Sequence, residues 1–215
     1  GGGLSSDAQG NTVGGSNAGD SFDGTNAQYN TLIGKDAGTA ITGGDRNTVL
    51  GYQAFQNATN ATYNVAIGYQ ALYTYNQSAI TGQVVAVGDR AAKSLTDGRN
   101  AVYIGAAAGF SVTTGGENVI IGSYCGTQLI SGSNNIILGQ GAQATATGVS
   151  NEVTIGDSNI ASLRCNVQTI SSLSDARDKI NVIDLPEGLN FINNLRPVKF
   201  EWSTRDGNGK DGSYE

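Results

Sequence analysis

The chain has 215 residues and a mass of 22.0 kDa, with 32 Gly, 2 Pro, 2 Cys, no Met, no His and a net charge of −6. Gly stands at about twice its usual ~7% share, and charged residues, at 14%, lie far below the usual ~25%. This excludes a self-repelling disordered chain and, with no G-X-Y register, collagen. Without His there is no Ser-His or Cys-His pair, no His-bound zinc and no imidazole base. The acidic balance disfavours nucleic acid and anionic membrane as partners, and no apolar run reaches the ~18 residues of a membrane span.

The opening GGGLSS lacks an initiator Met and reads as the start of a fragment. A short unit then recurs along the chain. NTVGG, with its second Gly at Gly15, is followed by NTLIG at Gly34, NTVLG at Gly51, NVAIG at Gly68 and VVAVG at Gly88. VYIG at Gly105, NVIIG at Gly122, NIILG at Gly139 and VTIG at Gly156 complete the series. The intervals between successive glycines are 19, 17, 17, 20, 17, 17, 17 and 17. Three positions after the first eight of them stand Ala18, Ala37, Ala54, Ala71, Ala91, Ala108, Cys125 and Ala142.

Each copy reads as a β element. A large apolar residue precedes the Gly (Ile33, Leu50, Ile67, Val87, Ile104, Ile121, Leu138, Ile155). Two positions earlier there is a β-branched residue, from Thr31 and Thr48 to Ile136 and Val153. Residues two apart share a strand face, and β-branching suits a pleated surface. Gly permits a tight turn, the small residue permits close approach, and stretches such as TAITGGDR supply turn chemistry. One period is long enough for two short strands and two bends, one coil of a solenoid with a core of Ala, Val and Ile. Nine such coils at ~4.8 Å each give a rod about 40 Å long. Helical repeats are excluded by the short period and by a Gly in every copy, at ~1 kcal/mol each. So thin a coil buries little, and self-association is one way to cover its remaining apolar face.

Asn30, Asn47, Asn64, Asn118 and Asn135 recur with the unit and are expected to form a stacked ladder or turn caps. Cys125 replaces the repeat Ala and reads as a buried small residue. Cys125 and Cys165 share no metal or redox spacing, so neither a metal nor a cofactor is expected. The longer interval before Gly88 places extra residues in LYTYNQSAITGQ, a surface loop by solenoid logic. Tyr69, Tyr73 and Tyr75, with Tyr63 nearby, are the candidate sugar or receptor contacts. Packing along the outer face or at a chain interface is the competing role.

The N-x-x-[IL]-G-x-x-A unit resembles the head repeat of trimeric autotransporter adhesins, a left-handed parallel β-roll built by three chains, and similar repeats occur in phage tail fibres. The resemblance spans about residues 11–160 and lapses at Val84 and Ala101, which lack the Asn, and at Gly14, which lacks the large apolar residue. It implies a homotrimer.

The periodicity ends after Ile155, and RCNVQTISSL reads as a strand or linker. The expected domains are a β-roll at 1–160, a strand or linker at 161–173, and a small α+β segment at 174–215. In the last, DLPEGLNFINNL has a helix start at Asp184 and Pro186, with Leu189, Ile192 and Leu195 at helical spacing. RPVKFEW alternates Val198, Phe200 and Trp202 as a strand, and RDGNGKDGSYE is turn-like. The pattern S-D-x-R-x-K-x-x-I followed by L-x-x-I-x-x-L-x-P-V-x-F-x-W resembles the C-terminal intramolecular chaperone of phage endosialidase tailspikes. Members of that family trimerise the fibre, assist its folding and then cleave themselves off; their domain runs on for many residues past the point matching Glu215.

The resemblance implies cleavage between Ser174 and Asp175, with Ser174 and Lys179 as the catalytic pair. Lys179 acts as a base only when neutral, so its pKa of ~10.4 must fall through burial or a neighbouring cation such as Arg177. Ser174 attacking its own carbonyl would close a strained four-membered ring, which leaves attack from a neighbouring chain or by activated water. The competing role for SDARDK is a charged turn capped by Ser174 or Asp175. The implied role is a structural and host-attachment segment of a virion tail fibre or tailspike. Its partners would be copies of itself, other fibre proteins and a host glycan or protein receptor. A bacterial surface adhesin head is the alternative. A third reading is a polysaccharide depolymerase, which would need two of Asp45, Asp89, Asp97 and Glu117 to converge.

Overall fold

The computed structural model describes residues 3–77 and 82–164, together with the backbone of two strands between 201 and 214. The chain divides into two units, Gly1–Leu163 and Arg164–Glu215.

The first unit is an all-β solenoid. A two-residue strand β1 (Ser5–Ser6) pairs antiparallel with β2 (Thr12–Gly14). β2 is followed in parallel by β3 (Thr31–Ile33), β4 (Thr48–Leu50), β5 (Val65–Ile67), β6 (Val85–Val87), β7 (Val102–Ile104), β8 (Val119–Ile121), β9 (Ile136–Leu138) and β10 (Val153–Ile155). Every pair is in register, so equivalent residues stack: Thr31 on Thr48, Leu32 on Val49, Ile33 on Leu50. The insertion before Gly88 does not disturb this, since Val65, Ala66 and Ile67 still face Val85, Ala86 and Val87. Each coil holds one short strand rather than the two expected from the sequence. The remainder of the coil stacks as turns whose backbones bond to the next coil, as in Gly38 N to Ala54 O (3.0 Å), Phe55 N to Ala71 O (2.9 Å) and Gly109 N to Cys125 O (2.9 Å). Turn geometry therefore does the work assigned to a second strand, and inter-coil bonds satisfy the backbone either way.

The glycine column is a clearance requirement. Gly105 has φ +131°, and a Cβ there would lie 2.5 Å from the Gly122 carbonyl oxygen. Its equivalents Gly34, Gly51, Gly68, Gly88 and Gly122 meet the next coil in the same way. Ala37, Ala54, Ala71, Ala91, Ala108, Cys125 and Ala142 form a fully buried column behind them.

Inside and outside are decided within the strand. The middle residue of each strand points inward, and Leu32, Val49, Ala66, Ala86, Tyr103, Ile120 and Ile137 are all buried. The two flanking residues point outward. The core is accordingly not restricted to Ala, Val and Ile. It holds Leu32, Leu72, Leu95 and Leu129, and also Phe55, Tyr75 and Tyr103. Phe55 and Tyr75 stack with centroids 5.8 Å apart.

The asparagines form a buried ladder, as expected, and Asn11 starts it. Asn47 donates from Nδ2 to Asn30 Oδ1 (3.0 Å) and to Ala61 O (2.8 Å). Its own Oδ1 accepts from Asn64 N (3.0 Å) and Asn64 Nδ2 (3.1 Å). Each amide thus ties its neighbours above and below. In most rungs it also ties a carbonyl further along the same coil, as in Asn30 to Gly44 and Asn135 to Val149. The ladder breaks at Val84 and Ala101; a tyrosine hydroxyl replaces the missing amide at the first break, and another lies near the second. The corresponding carbonyl for Val84 is Gly98 O, and the Tyr75 hydroxyl donates to it at 2.7 Å. The buried Tyr103 hydroxyl lies against the Asn118 side chain, one coil beyond Ala101, without a well-formed hydrogen bond. Tyr103 fits because Gly109 has no Cβ, which would overlap its ring.

In the second unit, β11 (Glu201–Ser203) pairs antiparallel with β12 (Lys210–Tyr214). β12 replaces the turn expected for that stretch, because a backbone ladder needs no apolar side chains to form. The helix anticipated around Leu189 and Ile192, and Val198 and Phe200, lie outside the described residues.

Candidate functional site

The outward strand face is a two-column apolar strip. One column runs Ile33, Leu50, Ile67, Val87, Ile104, Ile121, Leu138, Ile155, and the other runs Thr31, Thr48, Val65, Val85, Val102, Val119, Ile136, Val153. Leu50 (47%), Ile104 (38%), Ile121 (37%), Ile136 (39%) and Ile155 (56%) are exposed in the single chain. Covering each one half-way further would contribute about 1 kcal/mol, so the strip is a candidate contact surface.

Aromatic and cationic side chains stack along the same coils. Tyr29, Arg46 and Tyr63 follow one another at the repeat period, and the Arg46 guanidinium lies 5.4 Å from the Tyr29 ring centroid and 5.3 Å from that of Tyr63. Lys35 Nζ lies 5.8 Å from the Tyr52 ring, and Tyr52 lies 5.7 Å from Tyr69. These columns could have been found by counting at the repeat period.

The three tyrosines proposed as receptor contacts part company. Tyr69 is exposed on the Lys35–Tyr52 column. Tyr73 is half-buried with Lys93 Nζ 5.6 Å from its ring. Tyr75 corrects the expectation: it is fully buried, its hydroxyl donating to Gly98 O and lying 2.6 Å from Gln77 Oε1. Burial, then the charge of Asp97, holds its phenol well above the usual tyrosine range. It is part of the core and is closed to a receptor.

Two of the carboxylates weighed for hydrolysis, Asp45 and Asp89, are occupied locally. Asp45 accepts from Gln28 N at 2.8 Å and sits 3.8 Å from Arg46, and Asp89 accepts from Arg90 Nε at 3.0 Å. Asp97 lines a polar cavity of ≈ 220 Å³ with Gln77 and Arg99. Among the described residues no three His, Cys, Asp or Glu side chains gather as a metal site. Cys125 is a buried free thiol, 3.2 Å from Ile137 O, and burial pushes its pKa up to about 11. Ser174, Asp175, Lys179 and Cys165 lie outside the described residues.

The chain is thus a β-solenoid repeat protein with a second, separate C-terminal unit. Residues 174–213 of that unit match the family described as chaperone of endosialidase. No curated protein and no solved structure matches the chain.

Proposed function

We propose that this chain is a segment of a homotrimeric phage tail fibre or tailspike, located in the virion and serving host attachment. Its C-terminal unit would direct trimerisation and release itself by cleavage between Ser174 and Asp175. The observation that carries this reading is the match of residues 174–213 to an endosialidase chaperone directly after a solenoid with an uncovered apolar strip. A chaperone that gathers three chains brings three such strips together, and strands with no partner face acquire one. Cleavage adds water across one peptide bond, giving a carboxylate on Ser174 and an amine on Asp175. Lys179 takes the proton from the attacking hydroxyl or water once its amine is neutral. Because that neutral amine depends on a folded surrounding, the cut would report completed assembly.

Intact mass tests the reading. Expressed with a complete domain after residue 174, the wild type is expected to lose everything from Asp175, whereas Ser174→Ala and Lys179→Ala stay whole. Native mass should give three times the chain mass, and Ile104→Asp with Ile121→Asp should give single chains. A wild type that stays whole under folding conditions ends the processing claim, and a single-chain native mass ends the trimer claim.

A further inference from the structure

The second residue after each turn Gly from Gly51 to Gly122 forms its own column, running Gln53, Gln70, Arg90, Ala107, Tyr124, and all five share a backbone φ between +52° and +55°. Where long side chains meet in this column they close on each other, as Gln70 Nε2 donates to Gln53 Oε1 at 2.8 Å. Ala107 breaks the column. Its methyl floors a slot with Arg90 one coil to one side and Tyr124 one coil to the other, backed by Phe110 and Thr127, with a volume of ≈ 260 Å³.

We propose that this slot binds one uncharged pyranose ring of a polysaccharide. The inference names a ligand class for the attachment reading above and rests on that reading for its biological use. Thickness selects the ring. Arg90 and Tyr124 are two coils apart, about 10 Å at ~4.8 Å per strand. A group midway lies about 5 Å from each wall, looser than the ~3.5–4.0 Å optimum of a flat ring. A puckered chair fills that extra depth with its C–H bonds. The lining suits the two faces of a sugar. Tyr124, 57% exposed, and Phe110 offer apolar ring surface. The Arg90 guanidinium is held 5.9 Å from the Phe110 centroid, and its Nε is committed to Asp89. Its remaining N–H groups can donate to sugar hydroxyls while the Asp89 carboxylate accepts from them. The Asp89–Arg90 pair leaves little net charge, which favours a neutral ring over a polyanion.

The test uses the full chain with three probes at millimolar concentration, methyl α-D-glucopyranoside, methyl α-D-galactopyranoside and methyl α-L-rhamnopyranoside, read by saturation-transfer NMR. Ala107→Gln fills the slot with the side chain this column already stacks at 53 and 70, so the fold should be unchanged. Tyr124→Ser removes one wall at an exposed position, should Ala107→Gln fail to fold. At least one sugar is expected to bind the wild type and to bind either variant at least tenfold more weakly. Equal binding by folded variants, or no binding of any probe by the wild type, overturns the slot. So does a variant whose native mass changes in place of its sugar binding, since a second copy would then occupy it. Binding of the labelled chain to a panel of bacterial strains, run in parallel, keeps the two readings apart. Cells bound without sugar binding retain the attachment reading and sink the slot alone.

Discussion

Replacing Asn47 by Ala removes one rung of the asparagine ladder, and the cost can be worked from its partners. The Asn64 backbone N–H loses its acceptor, Asn47 Oδ1, and the Ala61 carbonyl loses its donor, Asn47 Nδ2. Asn64 Nδ2 keeps Thr62 O, and Asn30 Oδ1 keeps the Asn47 backbone N–H, so those two groups remain satisfied. Two buried groups are therefore orphaned. At about 1–3 kcal/mol each, the loss is about 2–6 kcal/mol. Urea unfolding followed by circular dichroism, at fixed protein concentration, reads it directly. With a slope of about 2 kcal/mol/M the midpoint should fall by about 1–3 M. Asn57→Ala is the control, because Asn57 is exposed and bonds only the Tyr73 carbonyl. Its midpoint should move by less than ~0.3 M. If Asn47→Ala shifts no further than Asn57→Ala, the ladder is ornament and the orphaned-group reasoning is wrong.

Three further outcomes follow from the packing. Tyr75→Phe should destabilise by about 1–3 kcal/mol by orphaning Gly98 O, and adding Val84→Asn should recover much of it by restoring the missing rung. A double-mutant cycle on unfolding midpoints that shows simple additivity refutes the substitution of one group for the other. Gly105→Ala should abolish soluble folded protein, because the added carbon has 2.5 Å to the next carbonyl oxygen; wild-type expression and melting would contradict this. Cys125 should resist a thiol reagent at pH 8 until the chain is unfolded. Its folded pKa of about 11 lies above the ordinary 9.0, so the unfolded state sheds the proton first. That contribution to stability is complete below pH 9 and is lost as pH rises from about 9 to 11. Burial raises the Tyr75 and Tyr103 phenols too, adding to alkaline destabilisation. A midpoint that is flat from pH 8 to 11 would refute it.

The glycine, alanine and asparagine columns were legible because each touches its own copy in the next coil, so one residue type must recur. The strand interior was not. Position 103 admits Tyr and position 66 admits Ala on the same inward column, because neighbouring turns adjust around the volume, and variable size hides a core position from pattern reading. Apolar identity was instead most regular on the outward columns, from Ile33 to Ile155, where regularity makes a flat strip. Tyr75 looked like a loop tyrosine because it sits beside the insertion. Its burial follows from a relation no local window contains, the Gly98 carbonyl that Val84 leaves without an amide donor. The Arg90–Tyr124 slot escaped for the opposite reason, being made by the side chain that Ala107 lacks.

The in-register stacking has a consequence for how such a rod changes length. Nearly all bonds leaving a coil land one period further on, and equivalent columns carry interchangeable residues. A duplication or excision of one whole coil, for example residues 119–135, rejoins Gly to Gly, Ala to Ala and Asn to Asn. The rod would grow or shrink in steps of ~4.8 Å with its cross-section unchanged. A change of any other size has to be taken up outside the strands, and the strands on either side of the longer interval before Gly88 stay in step. Reach is therefore adjustable in discrete increments, while the side-wall chemistry of every retained coil is preserved.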